Sequence, residues 1–95
     1  MDVTFYGDHL EITDAIRTHT EEKLAKLERH NPKLLSAKVT FSIERGTHIA
    51  ETILHEKGHE FYAKSEHDNL YKSIDKMVDK LDRQVQKENH IRRHC

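Results

Sequence analysis

The chain has one cysteine, Cys95, so no disulfide can form within it, and a reducing compartment suits it. As a free thiol, Cys95 is expected to do no more than bond to another chain on oxidation. No stretch approaches the roughly 20 consecutive apolar residues of a membrane span. The opening segment, MDVTFYGDHLEIT, is acidic and lacks the basic and apolar regions of a signal peptide. A cytoplasmic protein without a membrane partner is therefore expected. There is no glycine-rich phosphate loop, and no serine or cysteine has the supporting groups of a nucleophile. Paired carboxylates such as Glu21 and Glu22 are adjacent in sequence, so they do not face each other on a helix. These absences argue against catalysis and against a cofactor. Neither sign of charge dominates, with 16 basic and 17 acidic residues, so bulk charge names no partner.

What is present is periodicity. Ninety-five residues suffice for a single domain with one modest core. Asp2–Tyr6 alternates like a strand, with Val3 and Phe5 on one side, and Gly7 is expected to end it. Thr13 stands where a helix N-cap belongs, with Asp14 beside it. Ile16, Thr20, Leu24 and Leu27 then share a helical face until Pro32, which disfavours helical geometry at Asn31 and should stop the helix near His30. Ala37–Glu44 reads as a half-buried strand. Thr47–His55 reads as another, with apolar groups on both sides, so its facing stays open. Lys57-Gly58 signals a turn, and Phe61, Ala63 and Ser65 mark a fourth strand. Asp68 is the expected cap of a second helix over Leu70–Lys87, and residues 88–95 are expected to fray.

The order β-α-β-β-β-α, with short links among the last three strands, predicts an α+β two-layer sandwich. Both helices should pack on one face of a four-stranded sheet. Lys38, Thr40, Ser42, Tyr62 and Lys64 should face water on the other.

The last helix sorts its charges by angle. At about 100° per residue, Leu70, Ile74, Met77, Val78, Leu81 and Val85 form one apolar stripe. Asp75, Asp79 and Asp82 lie to one side of it, and Lys72, Lys76, Lys80, Arg83 and Lys87 to the other. A row of cations concentrates phosphate whatever the net charge, although lysines also simply solvate a packed helix. On the first helix, His19, Lys23, Lys26 and His30 share a narrow band. Two such rows side by side are expected to flank one groove for an RNA backbone. Aromatics are not interleaved with these cations, which disfavours stacking on single-stranded bases and favours folded RNA. A generic double-stranded RNA module is the alternative of similar outline.

One string competes with that reading. His55-Glu56-Lys57-Gly58-His59 spells the H-E-x-x-H of zinc proteases, which requires a helix to bring both imidazoles to one metal. Here the flanks alternate like strands and Gly58 sits at a turn, so no metal site is expected. The remaining histidines, among them His48, His67, His90 and His94, are scattered through polar surroundings; they would add positive charge below about pH 6.5.

The segments EITDAIRTHTEEKLAKLE, THIAETILHEKG and SEHDNLYKSIDKMVDKLDRQVQK resemble the bacterial ribosome hibernation promoting factor family, which includes ribosome-associated inhibitor A. The likeness runs from about Val3 to Lys87. Its most specific piece is the Asp-x-Leu-Tyr-x-x-Ile-Asp…Asp-Lys-Leu-x-Arg-Gln pattern between Asp68 and Gln84. The resemblance implies the β-α-β-β-β-α fold and a non-enzymatic stationary-phase factor. Such a factor binds the small ribosomal subunit in the channel used by tRNA and mRNA and blocks translation. It implies rRNA-contacting roles for Lys23, Lys26, Lys80, Arg83 and Lys87. Lys72 and Lys76 extend the stripe by periodicity only, outside the family's typical positions, and His30 is a weaker candidate of the same kind. The segment Asn31-Pro32 departs from the more aromatic loop of relatives. Long family members append a second domain and inhibitor A-type members an extended tail, and neither is expected after the last helix here. The expectation is therefore the short form, a monomer that works with ribosome modulation factor to make inactive ribosome dimers. An inhibitor A-type factor that blocks translation without promoting dimers is the alternative.

Overall fold

The computed structural model describes the backbone of residues 1–93 and side chains as far as Glu88. His94, Cys95 and the His90 side chain lie outside the described residues. Six elements follow in order: β1 (Asp2–Asp8), α1 (Asp14–His30), β2 (Leu34–Glu44), β3 (Thr47–Glu56), β4 (His59–His67) and α2 (Leu70–Arg93).

The strands form one sheet in the order β1-β2-β3-β4. β1 runs parallel to β2, so α1 serves as the crossover between them, while β2, β3 and β4 pair antiparallel as a meander. The tight links explain the meander. Arg45 and Gly46 both take positive φ (52° and 79°), which suits a two-residue hairpin between Glu44 and Thr47. Gly58 (φ 79°) does the same service between Glu56 and His59. Gly7 does not end β1 as its identity suggested. It lies inside the strand, where any Cβ would collide with the carbonyl oxygen of Leu10.

Register settles the facing of β3. Ala50 opposes Phe41, Thr52 opposes Val39, and Leu54 opposes Ala37, so this set shares a side with the core of β2. Ala50, Thr52 and Leu54 are accordingly fully buried beneath the helices. Ile49, Glu51, Ile53 and His55 fall on the open face with Lys38, Tyr62 and Lys64. There the Lys38 ammonium stands 5.1 Å from the centre of the Tyr6 ring, and the Tyr62 hydroxyl donates to Glu51.

Both helices cover the opposite face. The apolar stripe of α2 (Leu70, Ile74, Met77, Val78, Leu81, Val85) joins Leu24 and Leu27 of α1 over Val39, Phe41, Leu54 and Phe61 in one core. Thr13 caps α1 as its position predicted, its Oγ1 accepting from the Ile16 amide at 3.2 Å. Asn31 closes the other end, its amide donating to Leu27 O at 2.8 Å. At α2 the cap is Asn69 rather than Asp68. Asn69 Oδ1 accepts from Tyr71 N at 2.9 Å and Lys72 N at 3.4 Å, while the Asp68 carboxylate pairs with His67. α2 also runs to Arg93, beyond Lys87, where the apolar period fades and fraying was expected. No glycine or proline interrupts residues 88–93. Among the described residues, no helix is long and apolar enough to cross a membrane.

Candidate nucleic-acid interface

The helix layer is where the sequence places its cations, and the structure arranges them differently from a groove with two basic walls. α2 lies beside α1 and across β3 and β4. The flank it turns to α1 is the acidic one. Asp75 Oδ1 sits 2.8 Å from His19 Nε2 and 3.7 Å from Lys23 Nζ, and Asp82 Oδ1 sits 2.6 Å from His30 Nδ1. The edge of the Tyr71 ring meets His19, with centroids 5.1 Å apart. The seam between the helices is thus an alternation of α1 donors and α2 carboxylates. Lys23 and His30, both expected to contact RNA, here engage carboxylates of α2 across the seam. The cationic charge of Lys23 offsets Asp75, which lowers the negative potential that a polyanion would otherwise meet along the seam.

Further cations of the helices stand clear of it. Lys26 is exposed on α1, and Lys72, Arg83 and Lys87 are exposed on α2. Lys72 and Arg83 are eleven residues apart, which at about 100° per residue aligns them within roughly 20° on the crest of the helix, opposite its buried stripe. Lys76 and Lys80 turn the other way, toward β4. With Lys64, Ser65 and Glu66 they line an open basin of about 360 Å³. Lys80 Nζ donates to the carbonyl of Lys64 at 2.7 Å. One turn on, Gln84 grips the same strand at two points: Nε2 donates to Tyr62 O at 2.6 Å, and Tyr62 N donates to Oε1 at 3.3 Å. Ser73 completes the attachment, its hydroxyl donating to Ser65 O at 2.9 Å.

Lys64 and Gln84 escape a reading by helical periodicity. Lys64 belongs to the period of a strand, and only the strand order reveals that β4 is an edge lying against the basic flank of α2. The Asp-Lys-Leu-x-Arg-Gln string held the clue to Gln84, but not its partner.

The zinc-protease string is dismantled by the same geometry. His55 and Glu56 point to opposite faces of β3. Glu56 is buried under the helices and accepts from Asn31 Nδ2 at 2.9 Å, whereas His55 lies 3.3 Å from Glu60 on the open side. Glu56 therefore ties the end of α1 to the β3–β4 hairpin. Among the described residues, no group of three or more His, Cys, Asp or Glu side chains is placed to hold a metal ion.

Residues 3–93 match the family model described as Sigma 54 modulation protein / S30EA ribosomal protein. The chain belongs to this family. Among curated relatives, the ribosome hibernation promoting factor of Azotobacter vinelandii is 41% identical over 95 aligned residues, which cover 98% of this chain and 89% of the relative. That of Escherichia coli K12 is 36% identical over 87 residues, 92% of each chain. Solved structures agree on the fold. A ribosomal subunit interface protein from Coxiella burnetii superposes with a TM-score of 0.90 at 26% identity, covering 95% of this chain and 99% of that one. The N-terminal domain of Thermus thermophilus Protein Y does so with a TM-score of 0.85 at 39% identity, covering 92% and 98%. Within the Asp68–Gln84 pattern, Leu70, Ile74 and Leu81 fill the core, Asp75 engages α1, and Gln84 engages β4.

Proposed function

We propose that this chain is a ribosome hibernation factor that binds the small ribosomal subunit in the channel used by tRNA and mRNA. Bound there, it blocks translation in stationary phase and, with ribosome modulation factor, promotes inactive ribosome dimers. The role is non-enzymatic, and the chain acts as a monomer in the cytoplasm, where ribosomes are. Relatives that carry the hibernation promoting name at 36–41% identity support hibernation as the role. The observation that carries the binding mode is the exposed set Lys26, Lys72, Arg83 and Lys87 on one helix layer, continued by Lys76 and Lys80 at its β4 side. A surface that is neutral in sum but basic in one layer suits a phosphate backbone, whose counterions are released on contact. Lys23 and His30 contribute to that surface through the seam, by fixing where Lys26 stands.

Co-sedimentation with small subunits through sucrose tests the reading. Binding should weaken steeply as salt rises. Reversing charge at Lys80, Arg83 and Lys87 together should abolish it with the fold intact, since substitutions at exposed sites shift stability by about 0.5 kcal/mol or less. Undiminished binding by the triple variant refutes this site. A protein displaced from ribosomes by any RNA duplex would instead be a generic double-stranded RNA module. Gradients run with and without modulation factor separate the subtypes: a dimer peak fits the promoting factor, and loss of dimers fits the inhibitor type.

A further inference from the structure

We infer that the basin between α2 and the edge of β4 is a seat for one RNA backbone phosphate, with Lys64 as its new member. The inference rests on the reading above and extends that interface from the helix layer onto the sheet edge. β4 is the last strand of the sheet, so among the described residues its outer backbone groups are paired by no further strand. Two contacts show which groups those are. Gln84 engages both the amide and the carbonyl of Tyr62 from outside the sheet, and Lys80 engages the carbonyl of Lys64, two residues on. In an antiparallel ladder the N–H and C=O of one residue point to the same side. The Lys64 amide therefore points outward as well, into the basin that its carbonyl borders.

Three lysines, Lys64, Lys76 and Lys80, line the basin that this N–H faces. The Lys80 nitrogen is held 2.7 Å from the Lys64 carbonyl, which occupies one of its three donors and fixes its position while leaving two for a ligand. Lys76 precedes it by one helical turn on the same flank, and Lys64 rises from the strand. Among the described lining residues, Glu66 is the one carboxylate against three lysines. An oriented amide beside fixed ammonium groups is what binds a phosphate oxygen well, because charge-assisted donors give the stronger hydrogen bonds. The basin is open, with no apolar lid, which fits a phosphodiester passing through it better than an enclosed small molecule.

The test uses Lys64→Gln/Lys76→Gln, which leaves Lys26, Lys80, Arg83 and Lys87 in place. Binding to purified small subunits is measured over a salt series, with the thermal melt as a check on the fold. The wild type is expected to show a log–log salt slope steeper than the double variant by about 0.7–0.9, the value of one phosphate contact. An identical slope in the two proteins overturns the seat while leaving the ribosome-binding reading intact; absence of binding by the wild type overturns that reading and the seat with it. Titrating the wild type with inorganic phosphate at constant ionic strength supplies a readout free of the ribosome. The Lys64 amide resonance should shift saturably, and an unmoved resonance overturns the seat.

Discussion

Replacing Gln84 with alanine isolates the device that fastens α2 to the sheet edge. The side chain makes two bonds to Tyr62, one short at 2.6 Å and one long at 3.3 Å. Tyr62 is 48% exposed, so water replaces the lost donor and the carbonyl is not stranded. The cost is then the net value of the hydrogen bonds rather than the desolvation of a buried group: about 1 kcal/mol for the short bond and little for the long one. Alanine returns a few tenths of a kcal/mol in helix propensity. The balance is a loss of roughly 0.5–1 kcal/mol, which for a domain of this size lowers the melting temperature by about 3–6 °C. Gln84→Glu keeps the acceptor but sets a carboxylate against the Tyr62 carbonyl, so it should cost at least as much as alanine. Thermal denaturation followed by circular dichroism gives the first number. Amide exchange at Tyr62, slow in the wild type and fast in the alanine variant, assigns it to this contact. A variant that melts unchanged, with Tyr62 still protected, would show that α2 is held by its apolar stripe alone. The same substitution bares two backbone groups on an edge strand, so pairing between copies should become detectable at high concentration.

Three further outcomes follow from the geometry. The Tyr62 phenol donates to Glu51, which raises its pKa above 10.0 through that hydrogen bond first, with desolvation and the nearby negative charge adding to it. A raised folded-state pKa means the contact stabilises below pH 10 and is lost as pH climbs through the folded value; absorbance near 295 nm should show Tyr62 ionising late, and Glu51→Ala should lower its pKa. Asn31→Ala removes the amide that donates to buried Glu56 and the carbonyl that accepts from Lys33 N, so chemical denaturation should report a loss of about 1–3 kcal/mol. Asp75→Asn keeps an acceptor for His19 but drops the charge facing Lys23; stability should change by no more than about 1 kcal/mol, and co-sedimentation with small subunits should strengthen, with weaker binding refuting the view of Asp75 as an electrostatic brake.

Much of the fold is legible because its elements are strongly periodic. Leu70, Ile74, Met77, Val78, Leu81 and Val85 announce a helix with one buried side, and Val39, Phe41 and Ile43 a half-buried strand; burial confirms the helical set in full. β3 resists, since Ala50, Thr52 and Leu54 differ little in apolarity from Ile49 and Ile53, and only pairing with Phe41 and Val39 decides between them. The cap of α2 is ambiguous for a chemical reason: Asp68 and Asn69 are equally able to cap, and the path of the chain out of β4 selects Asn69. Glu56 is the plainest case of a motif misleading by composition, because strand alternation separates it from the histidine beside it.

The order of residues determined on its own the six elements, the apolar stripes and the angular separation of acid from base on α2, since these depend on periods of about 3.6 and 2 residues that any local window contains. It could not determine which neighbour each flank of α2 would meet. That follows from the parallel placement of β1 beside β2, which sets α1 against the aspartates and leaves the lysines to the edge of β4. Neighbours across a layer are chosen by strand order and by long-range burial. For that reason the joining of Lys64 to Lys76 and Lys80, residues from a strand and a helix, exists only in the folded chain.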